Sequence, residues 1–271
     1  MQFMGYRRED GRVGVRNYVL ILPGCACASE TCRLVASEVR GTKNVIMNVG
    51  CSDVQANTDM NLRVLTGFAL NPNVFGVIVI GLGCETVGHR ELAAKIRAET
   101  SKPVVSFGIQ EIGGTVATTA AAVKAAREMV AQASEQQREP CDASDLFVAI
   151  ECGGSDATSG IASNPAVGNM SDRIVDLGGT TMMSETIEFV GAEHILAKRG
   201  ATPEIHDQII RICEDYEKHL AGVGQDCRTG QPTTGNKAGG LSTIEEKSLG
   251  CIHKGGTRPV VEVLQEAARP T

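Results

Sequence analysis

The first half of the chain alternates short apolar runs with segments of helical periodicity. The longest run, residues 74–82, is continuous and rich in β-branched side chains, which is typical of a central parallel strand buried on both faces. Steady alternation of strand and helix predicts βαβ units and a parallel sheet. The other strands predicted here are residues 17–23, 44–49 and 103–107, and the predicted helices are residues 30–40, 62–70, 91–99 and 114–137.

The pattern restarts after a polar segment, residues 134–145, which predicts a linker. Beyond it, strands are predicted over residues 146–150 and 180–184, and helices over residues 171–177, 203–220 and 260–268. Residues 228–256 have little periodic apolar pattern and predict a long loop. We therefore expect an α/β protein with two doubly wound, Rossmann-like units, each with a parallel sheet in three layers (α/β/α). The first domain is expected over residues 1–140 and the second, incomplete at its C-terminus, over residues 141–271.

Composition narrows the class of protein. The 271 residues carry a net charge of -6, which argues against a nucleic-acid-binding surface. The charged N-terminus lacks the apolar centre of a signal peptide, and the most apolar run is far too short to cross a bilayer. A cytoplasmic location is expected, in which the ten cysteines would be mostly reduced.

Three predicted strands are followed by a cysteine beside a carboxylate and a glycine. These clusters are Gly50-Cys51-Ser52-Asp53, Gly83-Cys84-Glu85 and Glu151-Cys152-Gly153-Gly154-Ser155-Asp156. Ligands of open α/β sheets bind outside the carboxyl ends of strands. Thiolates and carboxylates together can hold a divalent transition metal, and three cysteines could hold an iron–sulfur cluster. A cysteine at a strand end is more often a small buried hydrophobe, but its recurrence at the same topological position favours a ligand role.

Other candidate cysteines and basic residues lie outside these clusters. Cys25 and Cys27 form a CxC pair that matches no standard cluster motif. Four arginines precede the first strand, where they are either a solvated charged segment or a carboxylate-binding group. His89 and His253 are candidate ligands or proton carriers, and a lysine desolvated in a cleft can act as a general base. No G-x-S-x-G or GxGxxG motif indicates a hydrolase or a dinucleotide site.

Six stretches, in order along nearly the whole chain, resemble the altronate/galactarate dehydratase family, which includes the large subunit of sulfolactate sulfo-lyase. They are GYRREDGRVGVRN, the GC of residues 50–51, NPNVFGVIVIGLGCE, ECGGSDATSGIASNPAVG, GGTTMMSETIEFVGAEHIL and GNKAGGLSTIEEKSLGCIHKGGT. The resemblance implies a lyase that removes water, or sulfite in the sulfo-lyase branch, from a hydroxy acid. It also implies dependence on iron or another divalent metal.

The chain departs from the family's pattern in two ways. Single-chain family members carry a small extra N-terminal domain, whereas this chain begins at the arginine motif. That difference implies a separate small partner subunit. The chain also stops before the family's C-terminal region, so it is expected to be a fragment or a truncated form that is inactive alone.

The expected function is a hydro-lyase that removes water from a sugar acid such as altronate or galactarate by metal-assisted β-elimination. A divalent ion would stabilise the enediolate as a Lewis acid, assisted by arginine and backbone N–H groups. The alternatives are release of sulfite from sulfolactate, a non-catalytic core that needs a partner, and an iron–sulfur hydro-lyase using Cys51, Cys84 and Cys152. The expected partners are a small hydroxy-carboxylate, the small subunit and further copies of this chain, with no nucleic acid and no membrane.

The predicted site residues fall into three sets. The metal, Fe²⁺ with Mn²⁺ or Mg²⁺ as alternatives, is placed near Cys84, Glu85 and Cys152, with Cys51 and His89 as further ligands. The predicted substrate-binding residues are Arg12, Arg16, Asn17, Ser155, Asp156, Asn164 and Glu185, of which Glu185 is also a possible metal ligand. The predicted proton carriers are Lys247, His253 and Lys254.

Overall fold

The chain folds into two compact units in the computed structural model, which describes residues 1–270. The N-terminal unit comprises residues 2–141 and 266–269. The C-terminal unit comprises residue 1, residues 142–265 and residue 270. None of the helices within residues 1–270 is both long and apolar enough to cross a membrane.

Strands and helices alternate along the N-terminal unit, as its apolar pattern predicts. Its strands are β1 (Gln2–Arg7), β2 (Val13–Gly14), β3 (Tyr18–Pro23), β4 (Thr42–Asn44), β5 (Val74–Gly81), β6 (Val104–Gly108) and β7 (Glu139–Asp142). Its helices are α1 (Ala26–Glu38), α2 (Gln55–Leu70), α3 (His89–Glu99), α4 (Ile109–Ile112) and α5 (Thr115–Glu135). The strand predicted over residues 44–49 is instead the short strand β4.

A parallel sheet with the strand order β4-β3-β5-β6 forms the core of residues 2–141. Along β5, Ile78 and Ile80 pack with residues of α1 and α5, while Val77 and Val79 pack with residues of α2 and α3. Successive side chains of a strand point to opposite faces, so a continuous apolar run requires helices on both sides. The structure therefore confirms an α/β arrangement with a parallel sheet in this unit.

The polar segments at the two ends of the N-terminal unit form a smaller sheet in the order β2-β1-β7. Strands β1 and β2 are antiparallel, with Tyr6 opposite Gly14. The segment predicted as a linker, residues 134–145, contains the boundary between the two units after residue 141, but it is folded as the end of α5, strand β7 and the 3₁₀-helix Ala143–Asp145. Most of β7 is exposed, so it lacks the apolar alternation that marks a half-buried strand.

The C-terminal unit is mostly helical. Its strands are β8 (Phe147–Ile150) and β9 (Thr180–Met183), and its helices are α6 (Ser163–Asp176), α7 (Glu193–Leu196), α8 (Pro203–Gly222), α9 (Cys227–Gly230), α10 (Thr234–Ala238) and α11 (Ile244–Cys251). Further 3₁₀-helices are Thr186–Glu188, Ala197–Arg199 and Ile252–Gly255. Strands β8 and β9 pair in parallel around α6, but the following helices succeed one another without further apolar strands. A second doubly wound sheet is therefore not demonstrated within residues 142–265.

The long loop predicted over residues 228–256 is wrong, because short helices occupy most of this segment. Asp226, Thr233 and Thr243 each accept a backbone N–H at the start of α9, α10 and α11. Such N-caps stabilise helices by about 0.5–2 kcal/mol. These helices are too short to show an amphipathic period, which is why the apolar pattern does not reveal them.

The helix predicted over residues 260–268 is also wrong for the residues that the structure describes. Val260 donates a backbone hydrogen bond of 2.8 Å to the Arg199 carbonyl and accepts one of 2.9 Å from the Ala201 N–H. Because this pairing uses both polar groups of the Val260 backbone, the chain is held extended there. Tertiary pairing therefore overrides the local helical pattern.

Helix α6 lies very close to the 3₁₀-helix Ile252–Gly255. A Cβ added at Gly168 in the middle of α6 would lie 2.1 Å from the His253 carbonyl oxygen. One turn later, the buried Ser171 Oγ donates a hydrogen bond of 2.7 Å to the Lys254 carbonyl. The absence of a side chain at Gly168 therefore lets two backbone segments meet.

Gly168→Ala should lower the free energy of unfolding of the C-terminal unit by about 1–3 kcal/mol, because the added methyl group overlaps backbone that cannot rotate away. Gly222→Ala is the matched control, because its Cβ would meet nothing within 4 Å. The control should change stability by less than about 0.5 kcal/mol. Urea unfolding followed by circular dichroism measures both, and equal stabilities would contradict this packing.

Candidate functional site

Parallel pairing of β8 and β9 brings Cys152 and Glu185 together. Ile150 lies opposite Met183 in the register, and each of the two site residues follows two positions later. The Cys152 N–H donates a hydrogen bond of 2.6 Å to Glu185 Oε2. The carboxyl ends of these strands therefore present a thiol and a carboxylate side by side.

Glu188 adds a second, buried carboxylate from the end of the 3₁₀-helix Thr186–Glu188. Its Oε2 accepts a hydrogen bond of 2.6 Å from Lys254 Nζ, and its Oε1 accepts one of 3.2 Å from Cys251 Sγ. The side chains of Lys254 and Glu188 are 8% and 5% exposed. Both members of this ion pair are thus shielded from water.

Cys152, Glu185 and Glu188 form a compact ligand group, in which one side-chain atom of each lies within 4.8 Å of the other two. Within residues 1–270 this is the only such set of three or more. A thiolate and carboxylates suit a divalent transition metal. Three protein donors leave coordination positions open, as in catalytic rather than structural metal sites. We call these three residues the metal-ligand group.

The charges around Glu188 are set by burial and by mutual contacts. Burial alone would raise the pKa of Glu188, but hydrogen bonds from Lys254 and Cys251 hold that pKa below its ordinary value. Burial alone would lower the pKa of Lys254, but the contact with Glu188 raises it. Burial and the neighbouring carboxylate raise the pKa of Cys251 to about 12. At neutral pH the cluster is therefore a carboxylate that accepts from an ammonium group and a neutral thiol.

Glu188 and Cys251 are absent from the residues predicted from sequence. Each stands three positions from a predicted residue, Glu188 after Glu185 and Cys251 before Lys254. Such spacing places two side chains on one side of a helical turn. Because no helical turn is predicted in either segment, the spacing carries no information before the fold is known.

The remaining predicted residues of the C-terminal unit have varied surroundings. Ser155 Oγ lies 3.2 Å from Cys152 Sγ, beside the metal-ligand group. The Asp156 carboxylate accepts the backbone N–H groups of residues 158 and 159, so it caps its own turn. Asn164 is buried in α6, and His253 is exposed. Lys247 donates a hydrogen bond of 3.0 Å to Gln231.

The predicted carboxylate-binding residues of the N-terminal unit contact other parts of that unit. Arg12 pairs with Asp10 at 2.6 Å and donates a hydrogen bond of 3.0 Å to the Leu70 carbonyl. Arg16 donates to the Val15 carbonyl at 3.0 Å. Asn17 donates to the carbonyl of residue 133 and accepts from the guanidinium of residue 8. These contacts hold the small sheet and the segment before β3 in place.

Cys51, Cys84, Glu85 and His89 lie near the carboxyl ends of strands in the N-terminal unit. Glu85 Oε2 accepts the N–H groups of residues 82 and 83. The His89 ring is buried, with Nε2 3.4 Å from Glu111. Of the predicted metal ligands, Cys152 alone belongs to the metal-ligand group of the C-terminal unit, where it meets Glu185, the predicted additional ligand.

Two family models match successive parts of the chain. Residues 5–134 match the family described as D-galactarate dehydratase/altronate hydrolase, second domain. Residues 143–271 match D-galactarate/altronate dehydratase, C-terminal. Together the two matches cover most of both units.

Individual relatives agree with these matches. The chain is 42% identical over 274 residues to (2R)-sulfolactate sulfo-lyase subunit beta of Chromohalobacter salexigens, a match that covers 99% of this chain and 69% of the relative. It is 35% identical to altronate dehydratase of Bacillus subtilis, covering 97% of this chain and 54% of the relative. It is also 35% identical to galactarate dehydratase (L-threo-forming) of Escherichia coli, covering 99% and 55%. The chain thus spans about half the length of the two dehydratases. These relatives are lyases, and the chain belongs to the galactarate/altronate dehydratase family.

Proposed function

We propose that the chain acts as the large subunit of a lyase that carries out metal-assisted β-elimination on a 2-hydroxy carboxylate. The observation that carries this proposal is the metal-ligand group of Cys152, Glu185 and Glu188. Sulfite release from sulfolactate is the leading reaction, because the sulfo-lyase subunit shares 42% identity with the chain and the dehydratases share 35%. Removal of water from a sugar acid is the alternative.

The donor set indicates which ion would bind. A thiolate favours Fe²⁺ over Mg²⁺, which prefers oxygen ligands. Cys152 and Glu185 would hold the ion from the strand ends, and Glu188 would hold it from the adjoining 3₁₀-helix. A divalent ion held by these three residues would supply Lewis acidity to the reaction.

Lys254 keeps the Glu188 carboxylate ionised and available as a ligand. Because the contact with Glu188 raises the pKa of Lys254, the amine is held as an ammonium group. An ammonium group can donate a proton but cannot remove one. We propose His253, whose ring is exposed on the same 3₁₀-helix, as the base, and a charge-stabilising or acid role for Lys254.

The two candidate leaving groups make different demands on these residues. Removal of the α-proton and of sulfite from the next carbon leaves the enol of a 2-oxo acid, and the sulfite departs as a stable anion. A departing hydroxyl group must instead be protonated, because hydroxide is a poor leaving group. In the sugar-acid alternative, Lys254 would supply that proton. Ser155, 3.2 Å from Cys152, is proposed to bind the substrate in either case.

A small partner subunit is part of the proposal. The sulfo-lyase relative is named as a subunit beta and is itself only partly covered by this chain. We infer that a separate small subunit completes the active enzyme. An assay of this activity therefore has to include both subunits.

The proposed reaction is tested by an anaerobic assay of the chain with Fe²⁺, Mn²⁺ or Mg²⁺, with and without the small subunit. Sulfolactate, altronate and galactarate are offered in parallel, and both sulfite and 2-oxo acids are measured. We expect sulfite and a 2-oxo acid in equal amounts from sulfolactate with Fe²⁺ and the partner. A 2-oxo acid from altronate or galactarate alone would favour the dehydratase alternative. Absence of any product in the complete mixture would contradict β-elimination.

Cys152→Ser and Glu185→Gln should each weaken Fe²⁺ binding by more than the roughly 10- to 100-fold that loss of an outer partner costs, because each removes a direct ligand. Glu204→Gln is the matched control, because this carboxylate is exposed at the start of α8. Anaerobic calorimetric titration gives the dissociation constants. Unchanged Fe²⁺ affinity in both ligand variants would show that the ion binds elsewhere.

Lys254→Met should lower the free energy of unfolding by about 3–5 kcal/mol, because it leaves the buried Glu188 carboxylate without its cation. The double variant Glu188→Leu/Lys254→Met should regain most of that loss, because it removes both charges together. Urea unfolding of the metal-free chain at pH 7 measures both variants. A cost below about 1 kcal/mol for Lys254→Met, the value of an exposed pair, would contradict the burial described here.

A further inference from the structure

The three cysteines that are exposed to solvent within residues 1–270 all line one cavity of the N-terminal unit. They are Cys27, Cys51 and Cys84, and the other cysteines are buried or, for Cys152, half-buried. The cavity has a volume of about 170 Å³ and is also lined by Cys25 and Glu85. The meeting of all three exposed thiols in one cavity favours a shared ligand.

The topology of the parallel sheet creates this convergence. Cys27 follows β3, Cys51 follows β4 and Cys84 follows β5, so all three lie at the carboxyl edge of neighbouring strands. The loop after β4 reaches the cavity through Gly50, whose φ is +143° and whose Cβ, if present, would lie 2.3 Å from the Cβ of Cys25. Glycine at this position is thus required for the close approach.

The cavity offers donors for a cationic centre. Thiolates are soft ligands that select iron–sulfur clusters, zinc or copper(I). Glu85 also lines the cavity, but its Oε2 accepts the N–H groups of residues 82 and 83, and its Oε1 is enclosed beside Gly81. The three exposed thiols therefore remain as the donors of this cavity.

The spacing of the donors favours a cluster over a single ion. A tetrahedral ion with metal–sulfur bonds of about 2.3 Å gathers its donor atoms within about 4 Å of one another. Within residues 1–270, the donors of this cavity do not form so compact a group. A polynuclear cluster distributes its cysteine ligands over several irons and so needs a wider arrangement.

We propose that this cavity binds an iron–sulfur cluster through the thiolates of Cys27, Cys51 and Cys84. The assignment differs from the cluster expected from sequence, because Cys27 takes the place of Cys152. Three thiolates would hold three irons of a four-iron cluster and leave the fourth iron open to another ligand. The proposal does not rest on the function proposed above, and its test does not use activity.

Anaerobic reconstitution of the full chain with Fe²⁺ and sulfide tests the proposal. We expect a brown protein with a visible absorption band and with bound acid-labile sulfide, which a mononuclear Fe²⁺ site does not contain. Cys27→Ser, Cys51→Ser and Cys84→Ser should each lose the band, whereas Cys152→Ser, the matched control, should retain it. Loss of the band in Cys152→Ser, or its retention in all three cavity variants, would overturn the assignment. So would the absence of a band in the unaltered chain.

A second measurement guards against variants that fail to fold, because it uses the unaltered chain. Iodoacetamide labelling after treatment with Fe²⁺ alone and after treatment with Fe²⁺ and sulfide, read by mass spectrometry, reports which thiols the cluster covers. Cys27, Cys51 and Cys84 should be better protected when sulfide is present, whereas Cys152 should react equally in the two states. Equal labelling of the three cavity thiols in both states would contradict the proposal.

Discussion

Parallel strand pairing is the constraint on which both cysteine-containing groups of this protein depend. Neighbouring parallel strands end at the same edge of a sheet, so the residues that follow them meet although they are far apart in sequence. In the C-terminal unit the pairing of Ile150 with Met183 places Cys152 against Glu185. In the N-terminal unit the same rule brings three exposed thiols to one cavity.

The buried ion pair of Lys254 and Glu188 ties the metal-ligand group to the rest of the C-terminal unit. Desolvation opposes both charges, and the 2.6 Å contact with the cation stabilises the carboxylate in return. The backbone of Lys254 is held in turn by Ser171 and by the close approach at Gly168 in α6. The position of Glu188, a ligand of the proposed metal, therefore depends on the packing of α6 against the 3₁₀-helix Ile252–Gly255. This packing links the stability of the C-terminal unit to the proposed metal site.

The arginines before β3 illustrate how local chemistry and tertiary structure can diverge. Their spacing suits carboxylate capture, yet Arg12 and Arg16 bind Asp10 and main-chain carbonyls of the N-terminal unit. A guanidinium group satisfies whichever acceptors the fold brings within reach. Sequence pattern identifies such a group but does not select its partner.

The apolar pattern by itself determined the parallel sheet of the N-terminal unit, because a continuous β-branched run such as that of β5 can be buried only between two layers. The ordered motifs determined the family, and the cysteines after the strands pointed to the edges where ligands gather. Which residues come together in the metal-ligand group and in the cavity of the N-terminal unit was decided by the tertiary structure. Glu188 meets Cys251 and Lys254, which lie 63 and 66 residues away, only through tertiary packing. Such contacts leave no periodic pattern in a sequence. The short capped helices and the polar strand β7 also show no apolar period, so the sequence did not predict them.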